Sequence, residues 1–146
     1  MKILVQEADF DVHAELCALS TSHIGALVSF VGLVRGSEDE QALTALTVEH
    51  YPSMTERILH QLAKQAQARW LCDISLIHRV GYLPVATQIV LVAVASPHRE
   101  AAFRACEFLI DALKTRAPFW KQAHFADGSS RWIEAKEKDA LASACW

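Results

Sequence analysis

The stretch from Ser96-Pro97 to Pro118 leaves little choice but one long helix with both ends fixed. Ser96 is a residue type that caps helix starts, and Pro97 suits the first helical position, where its missing N–H leaves nothing unsatisfied. At the far end Pro118 forbids continuation and pushes Ala117 out of helical dihedrals, so the helix ends by Arg116. Between these limits Ala102, Cys106, Leu109 and Leu113 recur at helical spacing, with Phe103 and Ile110 beside them, and this predicts the core face. Two extended segments follow, Phe119 to Phe125 and Ser130 to Glu134, which can pair across Asp127-Gly128.

The rest of the chain supplies the surface on which such a helix packs. A second long helix opens at Pro52, where Ser53 and Glu56 stand at capping-box spacing. Ile58, Leu59, Leu62, Ala66 and Trp70 form its apolar stripe. Residues 2–6, 25–35, 43–49, 72–80 and 88–95 read as strands, with Gly81-Tyr82-Leu83-Pro84 as the connection between the last two. A short helix is expected near 12–18, a polar acidic loop over 36–41, and a helical tail from Ala135. The order of elements implies an α+β domain with a largely antiparallel sheet, two long helices and one unit over residues 1–146. With 52% hydrophobic and 21% charged residues the composition is that of a globular protein. No apolar run approaches the roughly 18 residues of a membrane span. The segment Met1-Lys2-Ile3-Leu4-Val5-Gln6-Glu7 is too short and too soon acidic for a signal peptide. A cytoplasmic protein is the expectation.

The chain carries a net charge of -3, yet Lys114, Arg116 and Lys121 crowd around one proline turn. Phe119 and Trp120 anchor that turn and so fix where the lysines point, as a site for an anion requires. On an extended segment Lys121 shares a face with Phe119 and Ala123, while Trp120 and Gln122 face the other way. Lys114, taken alone, is also what a helix C-terminus favours. His98 and Arg99 fall in the first turn of the same helix, where free N–H groups and two cationic side chains suit phosphate or carboxylate. Arg35 precedes the acidic loop and can pair with Glu38 or Asp39; Arg131 can serve a pocket or pair with Glu134. The four cysteines form no CxxC pair and the seven histidines are scattered, so a metal site is not expected. No basic stripe marks a nucleic-acid surface. Sixteen residues separate His98 from Lys114, roughly 24 Å along a helix. Either there are two sites, or one site is shared by two copies of the chain.

Several stretches together resemble one family. They are Phe30-Val31-Gly32-Leu33-Val34-Arg35, Leu46-Thr47-Val48-Glu49-His50-Tyr51-Pro52-Ser53-Met54, Ser96-Pro97-His98-Arg99 with Ala102-Phe103, Lys114-Thr115-Arg116-Ala117-Pro118-Phe119-Trp120-Lys121, and Arg131-Trp132-Ile133-Glu134. In this order, from about Gly25 to Glu137, they are similar to the large, catalytic subunit of molybdopterin synthase. The resemblance implies an α/β hammerhead fold with a small extra sheet. It implies Lys114 and Lys121 as catalytic residues, and a substrate pocket made by Arg35 with Leu33 and Val34, by His98 and Arg99, and by Gln122, Ala123 and Arg131. The activity it implies is sulfur transfer to cyclic pyranopterin monophosphate, making the dithiolene of molybdopterin. The sulfur would come from the C-terminal Gly-Gly thiocarboxylate of a small ubiquitin-like partner subunit. No cofactor or metal is implied for this subunit; a homodimer at the centre of a heterotetramer is. The chain departs from the family at Leu33, where a lysine is common, in the acidic loop after Arg35, and at Lys136, where an arginine is frequent. A non-catalytic adaptor that docks an extended protein tail is the competing reading. It would need the aromatics but not both lysines.

Overall fold

A computed structural model describes residues 1–134 and 136–146. Ala135, where the helical tail was expected to begin, lies outside the described residues. The helical part of that tail is α4 (Glu137–Ala144).

The chain builds two sheets. The first has the order β1 (Lys2–Gln6), β5 (Asp73–Arg79), β7 (Gln88–Ser96), β2 (Ala26–Leu33). Only the β1–β5 pair is parallel. β7 is buried on both faces, which explains its unbroken apolar run. Val90, Val92 and Val94 face α2 (Met54–Arg69) and α3 (Arg99–Thr115), with Leu59, Leu62, Phe108 and Leu109 completing that core. Leu91, Ala93 and Ala95 face the other way, toward Leu19 of α1 (Val12–Leu19). The second sheet is organised by the long strand β4 (Gln41–His50). It pairs with β3 (Ser37–Glu38), β6 (Gly81–Pro84) and β8 (Phe119–Phe125), and β8 in turn pairs with β9 (Ser130–Trp132). Its core gathers Val34, Leu43, Leu46, Val48, Leu83, Ala123 and Phe125.

Three local expectations need correction. The residues 81–84 are not a plain connection: they form β6, because the chain leaves the first sheet at Val80 and the alternation of Tyr82 (exposed) with Leu83 (buried) fits the second. Gly81 makes that exit with φ +91, a conformation that favours glycine. α3 starts at Arg99 with His98 as its cap, two residues later than Ser96-Pro97 suggested. Ser96 instead ends β7, where its hydroxyl donates to the Leu71 carbonyl at 2.7 Å and accepts the His98 backbone N–H at 3.3 Å. The core face of α3 is Ala102, Ala105, Cys106, Phe108, Leu109 and Ala112, so it is rotated from the expected stripe, and Phe103 is 61% exposed. α2 opens as its sequence predicted, the Ser53 N–H donating to the Glu56 carboxylate at 2.8 Å. No helix among the described residues is long and apolar enough to cross a membrane.

Candidate active site

The turn after α3 brings the two lysines to one place. α3 ends at Thr115, and Ala117-Pro118 reverses the chain into β8, the Phe119 N–H donating to the Ala117 carbonyl at 2.9 Å. Lys114 projects from the last helical turn. Lys121 follows on the inward face of β8, between Phe119 and the buried Ala123. Both line a cavity of about 400 Å³ at the seam between the two sheets. Leu33 at the end of β2, Arg35 just after it, Glu38 from β3, His78 from β5, and Glu134, Lys136, Lys138 and Asp139 from the C-terminal segment complete its wall and rim.

The floor was not foreseen. His78 is the penultimate residue of β5, after Leu76 and Ile77, and is only 4% exposed. Its ring stacks on Phe119, with centroids 3.7 Å apart and planes 14° from parallel. Its Nδ1 lies 2.8 Å from the Arg79 carbonyl, which can only accept, so Nδ1 carries the proton and Nε2 is left as an acceptor. Burial, then the nearby Lys121, hold its pKa down at about 3, with Lys114 and His50 contributing and the Arg79 bond opposing. The imidazole is therefore neutral at physiological pH. The one signal in the sequence was a lone histidine beside Arg79 in an apolar run.

Lys121 is largely buried. Burial first, and Lys114 second, lower its pKa to about 8, Lys136 adding to this while Asp139 and Glu38 work against it. Among the described residues neither Lys114 nor Lys121 has a carboxylate within ion-pair distance. The cavity thus offers one amine that is partly neutral near pH 8, one ammonium beside it, and a neutral imidazole beneath. Such a set can hold an anion and supply a nucleophile or base.

The other predicted residues separate into two groups. Leu33 and Arg35 lie on the cavity, and Arg35 pairs with Glu38 at 3.4 Å. The Val34 side chain is buried and its backbone is tied to Ala86 and Thr87. Gln122 and Ala123 do not line the cavity: the Gln122 amide donates to the Ser130 hydroxyl at 3.2 Å, and Ala123 is core. Arg131 pairs with Asp39, not Glu134, and lies over the Phe125 ring at 5.3 Å. His98 and Arg99 are exposed at the opposite end of α3 and take no part in this cavity. Among the described residues no cluster of three or more His, Cys, Asp or Glu could hold a metal ion.

Over most of its length the chain is similar to one group of known proteins. The MoaE protein family model matches residues 5–116. The molybdopterin synthase catalytic subunit of Ralstonia nicotianae is 50% identical over 147 residues, covering 99% of this chain and 83% of the relative. Among solved structures, the molybdopterin biosynthesis MoaE protein of Burkholderia ambifaria superposes with a TM-score of 0.83 at 46% identity, covering 99% of this chain and 97% of that one. Molybdopterin synthase from Staphylococcus aureus gives 0.82 at 30% identity, covering 91% and 96%.

Proposed function

The chain belongs to the MoaE family, and from that premise we propose that it transfers sulfur to cyclic pyranopterin monophosphate, forming the dithiolene of molybdopterin. The observation that carries the reading is the pairing of Lys114 with the partly neutral Lys121 on one cavity. The sulfur donor is the C-terminal thiocarboxylate of a small ubiquitin-like partner. Its tail must arrive extended, and β2 offers a route: it is an outer strand of its sheet, and it ends at Leu33 on the cavity. In each of two transfers the thiocarboxylate sulfur bonds to a substrate carbon, displacing an oxygen substituent there. Water then adds to the tail carbonyl and the tail carbon–sulfur bond breaks, so the sulfur stays on the substrate and the tail leaves as an ordinary carboxylate. Lys114 lies nearest the tail carbonyl and Lys121 moves protons or attacks; both favour the accumulating negative charge.

His98 and Arg99 enter through a second copy. They sit about 24 Å of helix away from Lys114, at an end of α3 that a two-fold dimer can bring to the partner's cavity. The assembly is then a central homodimer with a small subunit at each end. Reconstitution tests both claims. Wild-type protein, thiocarboxylated partner and pterin substrate should give the dithiolene, and Lys114→Ala or Lys121→Ala should abolish turnover while leaving the tail docked. Equimolar His98→Ala and Lys114→Ala chains, unfolded and refolded together, should recover about a quarter of wild-type activity, since half the dimers are mixed and each carries one intact site. No recovery would place each site within one chain. Tight docking with no product from the wild-type protein would favour an adaptor.

A further inference from the structure

An anion stands where the proposed reaction asks for cations. Glu38 reaches into the cavity from β3 with its side chain only 10% exposed. One carboxylate oxygen lies 3.4 Å from Arg35 Nη2, and the other lies 3.8 Å from Lys136 Nζ. Its neighbours in the acidic loop behave differently: Asp39 and Glu40 are exposed, and Asp39 is taken by Arg131. Arg35 and Lys136 come from distant parts of the chain. Arg35 follows β2, and Lys136 caps α4. Their side chains are 68% and 40% exposed, so without a shared partner each would sample open solvent. A single exposed ion pair orders little. A carboxylate mostly withdrawn from water and shared by two cations orders more, because both are held by one fixed point.

Resting on the reaction proposed above, we propose that Glu38 is a positioning residue: by bridging Arg35 to Lys136 it holds two cations over the mouth of the cavity and sets the electrostatic field at Lys121. The groups that face Lys121 can be counted by element. Lys114 comes from α3, His78 from β5, Arg35 and Glu38 from the β2–β3 segment, and Glu134, Lys136, Lys138 and Asp139 from the C-terminal segment. Glu38 and Asp139 favour its protonated form, while Lys114 and Lys136 oppose it. Removing the Glu38 charge therefore moves the Lys121 titration to lower pH, whichever form of the amine the reaction uses.

The test compares Glu38→Gln, which removes the charge but keeps the shape, with Glu38→Asp, which keeps the charge on a shorter stem. Two readouts are taken on the full chain. One is the pH midpoint of Lys121 acetylation by trace acetic anhydride, which needs no substrate. The other is the KM for the pterin substrate in the reconstituted assay. Glu38→Gln should lower the midpoint and raise KM by about three- to tenfold, the scale of one or two loosened cation contacts, with a smaller effect on kcat. The pH–rate profile should move in the acid direction with the midpoint, and Glu38→Asp should restore both. An unchanged midpoint in Glu38→Gln would overturn the proposal. A KM that falls would also overturn it, since Glu38 would then be an obstructing anion. A shifted midpoint in a wild-type background that shows no turnover would count against the proposed reaction and leave the Glu38–Lys121 coupling standing.

Discussion

Lys121 makes the sharpest prediction, because its environment sets a chemical reactivity that can be read directly. With a pKa of about 8, about half of it is the free amine at pH 8, against roughly 0.4% for an ordinary exposed lysine at ~10.4. That is a difference of about a hundredfold in reactive species. Competitive acetylation with trace anhydride, quantified by mass spectrometry against exposed Lys64 as an internal standard, should give Lys121 a midpoint near pH 8. Restricted access lowers its absolute rate but does not move the midpoint. Because burial is the larger cause and Lys114 the second, Lys114→Gln should move the midpoint upward without returning it to the ordinary range. The same shift bears on stability. A lysine whose pKa is lower in the folded state binds its proton more weakly there than in the unfolded chain. Its cost to folding is therefore complete below about pH 8 and is relieved as pH rises toward 10.5. The cost is about 3 kcal/mol, so Lys121→Met should be more stable than wild type at pH 7 by up to that amount in urea unfolding, while losing turnover. A Lys121 midpoint near 10, together with a Lys121→Met protein no more stable than wild type, would refute the reasoning.

Two further outcomes follow from the same physics. His78 titrates at about 3 when folded and at 6.5 otherwise, so its contribution is full above pH 6.5 and is lost as pH falls toward 3. Urea-unfolding free energies of His78→Phe should accordingly fall less steeply with acid, by about 1.4 kcal/mol per pH unit below 6.5, and parallel curves would contradict this. Trp146 donates its indole N–H to Asp111 at 2.6 Å and packs edge-on against Trp70 and Phe108. Trp146→Ala should cost about 2 kcal/mol, seen as a Tm lowered by ~5 °C, and should speed amide exchange in α4 ahead of the rest; uniform exchange would show that the tail is not anchored there.

Much of this architecture was legible in the residues, and the failures have physical causes. Strands β1, β2, β4, β5 and β7 and both long helices declare themselves through period and caps, because each buries a face that its own sequence defines. β6 does not, since a four-residue strand with Pro84 at its end is indistinguishable from a turn until β4 is there to pair with it. The start of α3 lies two residues beyond Ser96 because pairing with Ala26 holds Ser96 in β7, a tertiary contact that its local sequence does not announce. Within the cavity, Lys114 and Lys121 were found from a local motif. His78 has no role readable from the sequence and Glu38 only a local pairing with Arg35: one needs a stacking partner from another sheet, the other an ion pair to Lys136, 98 positions further along the chain. Side chains whose meaning depends on a tertiary neighbour carry no local signature.

The Ala117-Pro118 turn bears on how such a chain can diverge. The spacing of Lys114 and Lys121 is fixed within one short, continuous piece of backbone, while the rim around them is assembled from remote segments. Drift in the β2–β3 segment or the C-terminal tail can lengthen, shorten or recharge that rim and leave the lysine pair where it is. A single residue gained or lost between Pro118 and Lys121 is another matter. It would reverse the facing of every side chain on β8 from that point, sending Lys121 to the solvent side where Trp120 now lies. Variation should therefore accumulate as insertions at the rim and as substitutions, never length changes, in the turn.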